Sequence, residues 1–117
     1  MNIYDIANRL ADEIRQSEET KQLRRLKEIA YSDDTNRQLL DEYKRLQVQL
    51  QMSMVSGAGS MPTEEMSRFQ KLAALLYMNS DVQAYLMAEM QMQKKLADVF
   101  KTISDAAGIQ YELPSGL

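Results

Sequence analysis

The acid pairs Asp12-Glu13, Glu18-Glu19, Asp33-Asp34, Asp41-Glu42 and Glu64-Glu65 are the side chains of this 117-residue sequence best suited to hold a hard cation or share a proton. Either task needs carboxylates that converge on one point. Neighbours on a helix point about 100° apart, so an adjacent pair does not converge unaided. Three of the pairs, at 18–19, 33–34 and 64–65, stand where helices are expected to begin, and capping and the helix dipole account for them.

Composition removes most other chemistry. With no Cys and no His there is no thiolate, disulfide, zinc site of the usual kind, iron–sulfur ligand or imidazole base. SGAGS (56–60) has neither the spacing nor the lysine of a phosphate loop, and no E-x-x-H marks a di-metal bundle. No catalytic residue, metal, cofactor or small-molecule substrate is expected, and no enzyme. The 14 basic and 17 acidic side chains leave a net charge of −3. Residues 1–50 hold 9 basic and 10 acidic side chains and residues 51–117 hold 5 and 7, so a phosphate-binding face is not the default. No apolar run reaches the roughly 18 residues of a membrane span. The start, MNIYDIANRLADE, has acids where a signal peptide would be basic, so a cytoplasmic protein without membrane contact is expected.

The elements that would position any site read as helices over about 2–16, 18–31, 34–55, 64–78 and 81–107, in one domain (1–107) with a loop at 56–63 and a short tail at 108–117. Ile3, Ile6, Ala7, Leu10 and Ile14 recur at three- and four-residue steps, with Asp5 and Arg9 as an i,i+4 pair outside. Ser17 is placed to cap the second helix, whose basic cluster Lys21, Arg24, Arg25 and Lys27 reads as a solvated face. Glu64 and Arg68 form another i,i+4 pair, and Ser80–Gln83 has the S-x-x-Q form of a capping box with Gly108 closing the last helix.

LQVQLQMSMV (46–55) alternates apolar and polar like a half-buried strand. The helical phase of Leu39, Tyr43, Leu46, Leu50 and Met54 nevertheless passes straight through it, and Leu, Gln and Met favour helix. As a helix, the segment turns Val48, Met52 and Val55 roughly opposite the main stripe, so its last turns are apolar on two faces. Met87 and Met90 likewise lie off the stripe of the fifth helix, while Glu89 points into that stripe, where a partner across the bundle is expected rather than acid–base work. The long helices, roughly 33 and 40 Å, outrun the roughly 22 Å fourth helix. The expected fold is therefore an all-α, five-helix antiparallel bundle or hairpin that dimerises through its two long helices. Leu46, Val48, Leu50, Met52, Val55, Met87 and Met90 are the candidate interface.

The segments NIYDIANRL (2–10), IRQSEETKQL (14–23), Asp33 with LLDEYKRLQVQLQ (39–51), PTEEMSRFQKL (62–72) and NSDVQAYLMAEMQMQ (79–93) together resemble the YlbF/YmcA family of small helical bacterial regulators, nearest its YheA-like branch. The resemblance spans about residues 2–105. It implies a helical dimer with no known enzymatic activity, linked to competence, biofilm formation and sporulation through regulatory protein partners, family relatives and ribonuclease Y complexes among them. Some members hold an iron–sulfur cluster through cysteines near the C-terminus. This chain has none, so that role does not carry over. The leading expectation is a non-enzymatic homodimeric adaptor. The alternative is an RNA- or DNA-binding dimer using Lys21, Arg24, Arg25 and Lys27, and a third is a carboxylate-metal enzyme.

Overall fold

A computed structural model describes residues 2–56 and 62–109, with the side chains of 55 and 56 outside the description. Among the described residues there are five helices: α1 (Ile3–Gln16), α2 (Glu18–Tyr31), α3 (Asp34–Ser56), α4 (Thr63–Tyr77) and α5 (Ser80–Ala107). The alternating segment 46–55 is helical throughout, as its phase requires.

The helix ends are set by local chemistry. Asn2 and Asp5 form a reciprocal capping box on α1, so the Asp5 carboxylate reaches back to the Asn2 N–H instead of forward to Arg9. The Ser17 hydroxyl accepts from the Thr20 N–H at 3.2 Å and opens α2. Asp33 accepts from the Asn36 N–H at 2.9 Å and opens α3. The cap of α5 is Asn79, one residue before the expected Ser80, because its amide oxygen takes both the Asp81 and Val82 N–H groups, at 3.0 and 3.1 Å. Gly108 closes α5 at φ 73°, in the left-handed region that glycine enters without a Cβ penalty.

α5 runs back along α2, with Lys95 meeting Glu19 at one end and the Tyr85 ring meeting the Tyr31 ring edge-on at the other. α3 and α4 form a hairpin in which the Tyr43 and Phe69 rings stack 4.9 Å apart and Arg68 makes a bidentate bond to Glu42 at 2.8 and 2.9 Å. The expected Glu64 partner of Arg68 therefore gives way to a carboxylate on the neighbouring helix, whose planar geometry matches both guanidinium donors. That pairing holds the Glu42 carboxyl below the usual carboxylate range. The core is Ala30, Leu40, Tyr43, Leu46, Leu72, Leu76, Val82, Tyr85 and Leu86.

This core occupies only the middle of the molecule. The chain is a slab of 49 × 36 × 16 Å with a radius of gyration of 16.7 Å, where a compact chain of this length would have roughly 13 Å. Its accessible surface is 8568 Å², against about 6500 Å² for a compact monomer of its mass. The ends of the long helices extend beyond the shared core, in line with their length.

Candidate interaction surface

α3 spends one face on the core and leaves the other in solvent. Tyr43 and Leu46 point inward, and Leu46 is only 3% exposed. Val48 and Met52, set roughly 140° and 180° around the helix from Tyr43, are 51% and 65% exposed. The structure thus corrects one candidate contact residue: Leu46 shares the inward phase of Tyr43 and is consumed within the chain. Leu50 is half-buried, and Val55 lies outside the described side chains.

Met87 and Met90 are exposed on α5. Met90 borders a crevice with Tyr43, Gln47, Tyr77 and Glu89, on the inner side of α3. Val48 and Met52 are on its far side, so the candidates divide between two faces within one chain. A larger apolar area was not singled out from the sequence. α1 buries none of its residues: Ile3, Ile6 and Leu10 stand exposed, as do Leu96 and Ile103 of α5, and Leu10 and Ile14 face Met92, Leu96 and Val99 across an open groove. Their stripe is plain in the sequence, but whether this chain covers it depends on how α1 sits.

The titratable groups are engaged with one another. Glu89 accepts the Tyr85 hydroxyl at 2.8 Å and pairs with Lys44, whose ammonium sits 4.9 Å from the Tyr85 ring centroid. Glu89 therefore does find its partner across the bundle. Burial first, then the neighbouring Glu89 carboxylate, pushes the Tyr85 hydroxyl far above its ordinary value of 10.0. Burial also raises Tyr31 and Tyr43.

The acid pairs stay dispersed. Glu18 meets Lys21, Glu19 meets Lys95, Asp12 meets Arg15 and Asp34 meets Arg37. Among the described residues no three His, Cys, Asp or Glu side chains gather around a point. On α2, Arg25 is held by Gln22 at 2.6 Å and Lys27 lies 5.9 Å from the Tyr31 ring centroid, so much of the basic face is turned to local partners. No helix among the described residues is long and apolar enough to cross a membrane.

Residues 3–107 match the family described as "Control of competence regulator ComK, YlbF/YmcA". A UPF0342 protein of Caldicellulosiruptor bescii is 31% identical over 112 residues, covering 96% of this chain and 93% of that protein. A UPF0342 protein of Streptococcus pyogenes is 31% identical over 102 residues, covering 86% of this chain and 88% of that one. A solved structure, a protein of unknown function (DUF964) from Bacillus stearothermophilus, superposes with a TM-score of 0.74 at 24% identity over 91% of this chain and 92% of its own, which establishes a shared fold. With the match running through all five helices described, the chain belongs to the YlbF/YmcA family.

Proposed function

We propose that this protein is a non-enzymatic, cytoplasmic regulatory adaptor that acts as a homodimer and works by offering helix faces to other proteins, including family relatives and complexes containing ribonuclease Y. The observation that carries the reading is the far face of α3, where Val48 and Met52 are solvent-exposed on a helix whose opposite face is already committed to the core. Exposed methionines suit such a role because their unbranched, polarisable side chains adapt to differently shaped partners. Met87 and Met90 extend the same property to α5.

Two measurements test it. Light scattering at micromolar concentration should give twice the 13.5 kDa chain mass, and a monodisperse monomer refutes the dimer. Val48→Glu with Met52→Glu should leave helicity intact and change stability by no more than about 0.5 kcal/mol per site, as is usual for exposed positions. The doubly substituted chain should also lose regulatory proteins that the wild-type chain retains from its native cell. An unchanged retained set removes this face from the account.

A further inference from the structure

With nine methionines and no cysteine, the thioether is the only form of sulfur in this chain. All but Met1 and Met61 fall among the described residues, and their placement is unusual. Methionine ranks with the residues most often found fully buried, yet the hydrophobic core contains none. Met78 is 83% exposed, Met54 67%, Met52 65%, Met87 49% and Met90 43%, while Met66 and Met92 are half-buried.

We propose that the exposed methionines are modification sites for peroxide-class oxidants, and that their conversion to sulfoxides reversibly blunts the contact faces of α3 and α5 while the fold stands. In each event the thioether sulfur attacks one oxygen of hydrogen peroxide. The S–O bond forms, the O–O bond breaks, and the departing hydroxide takes the proton of the transferred oxygen and leaves as water. Sulfur loses two electrons and the peroxide gains them. Reversal consumes a dithiol, which becomes a disulfide as the sulfoxide oxygen departs as water.

Placement carries the inference. Oxidation turns a flexible apolar side chain into a polar one, which disrupts a core that contains methionine, and this core is free of it. The same change falls hardest on apolar contact surfaces. Met52 stands roughly 180° around α3 from the inward Tyr43 and with Val48 supplies the apolar character of the far face, so a sulfoxide there sets a polar oxygen at the centre of that face. Met90 lines its crevice together with Gln47 and Gln93, whose amide groups are suited to donate to a sulfoxide oxygen without disturbing the helices. No cysteine within the chain competes for the oxidant. The effect on contacts rests on the reading that these faces bind other proteins; the sites themselves do not.

The test treats the purified chain with hydrogen peroxide and follows each methionine by peptide mass spectrometry. Sulfoxide should appear fastest at Met78, Met54 and Met52, then at Met87 and Met90, and at Met66 and Met92 at least about threefold more slowly than at Met78, since susceptibility follows exposure. Helicity should persist, with the melting midpoint moved by no more than about 5 °C. Methionine sulfoxide reductases for both epimers, supplied with a dithiol, should restore the original mass. Proteins that the reduced chain retains from its native cell should fall by about tenfold or more on the oxidised chain. They should persist on an oxidised chain carrying Met52→Leu, Met87→Leu and Met90→Leu, which keeps the side-chain volume without the sulfur. Equal rates at Met78 and Met92, loss of helicity on oxidation, sulfoxides that the reductases leave in place, or binding untouched by oxidation would each overturn the proposal. A reduced chain that retains no protein overturns the proposed function, and with it the effect on contacts, while the sulfoxide map decides the modification sites on its own.

Discussion

Leu40→Ala should lower the stability of the fold by about 3 kcal/mol, within the 2–5 kcal/mol typical of leucine truncation in a packed core. Leu40 has no exposed surface and lies in the cluster with Tyr43, Leu72 and Leu76. Part of the cost is lost transfer energy and part is the cavity, which α2, α3 and α4 cannot collapse into without breaking their hairpin and ring contacts. Leu39→Ala, one residue earlier and only half-buried, should cost about half as much. A thermal melt reads the difference directly, because each kcal/mol moves the midpoint by several degrees in a domain of this size. Both variants and the wild type must be compared at one protein concentration, since the proposed self-association would make the midpoint concentration-dependent. Equal losses for the two leucines would mean that α3 presents a different face to the core.

That pair also marks how far periodicity reaches. The stripe read from the sequence takes in Leu39, Tyr43, Leu46, Leu50 and Met54 and passes over Leu40, which lies about 40° beyond its edge at Met54. A helical wheel fixes the direction of a face but not its width, because the width depends on how many neighbours press against it. The helical state of 46–55 was legible because phase and propensity agree there. The cap of α5 was misplaced by one residue, as Asn79 and Ser80 are both competent and only the backbone angle at the turn decides between them.

Charge partners follow the same division. Glu89 was readable as a cross-bundle partner because a carboxylate inside an apolar stripe needs a counter-charge. Arg68 was misassigned to Glu64 because a bidentate partner on α3 is 26 residues away in sequence and invisible to local spacing. The apolar stripe of α1 was equally plain, but a sequence does not say whether the layer above it comes from the same chain. The interaction surface was therefore legible in kind and only partly in place. The outward face of α3 stands where its phase puts it, whereas Leu46 turned inward and the stripe of α1 was not named among the contact residues.

Glu89→Ala should cost about 2–3 kcal/mol, slightly below the 3–5 kcal/mol of breaking a fully buried ion pair, because both partners keep about a quarter of their surface in water. The loss comes from what is left behind: Lys44 without its carboxylate above the Tyr85 ring, and the Tyr85 hydroxyl without its acceptor. Replacing both charges with apolar side chains, Lys44→Met with Glu89→Leu, should recover roughly half of that loss, since no charge is stranded while the Tyr85 hydroxyl still lacks its acceptor. A double variant no better than Glu89→Ala would show that the pair itself, and not its stranded half, carries the energy. Tyr85 adds a pH signature with a definite sign. Its hydroxyl is raised above the ordinary 10.0 chiefly by burial and then by Glu89. Below that value both folded and unfolded chains keep the proton and the contribution is fully present. Above it the unfolded chain ionises first, so wild-type stability falls as pH rises. Tyr85→Phe cannot ionise in either state. It should be less stable than wild type by about 1–2 kcal/mol at neutral pH, through the lost bond to a charged acceptor, and the gap should narrow in melts taken above pH 10. A gap that stays constant through that range would mean that Tyr85 ionises as readily folded as unfolded, which its burial and its bond to Glu89 forbid.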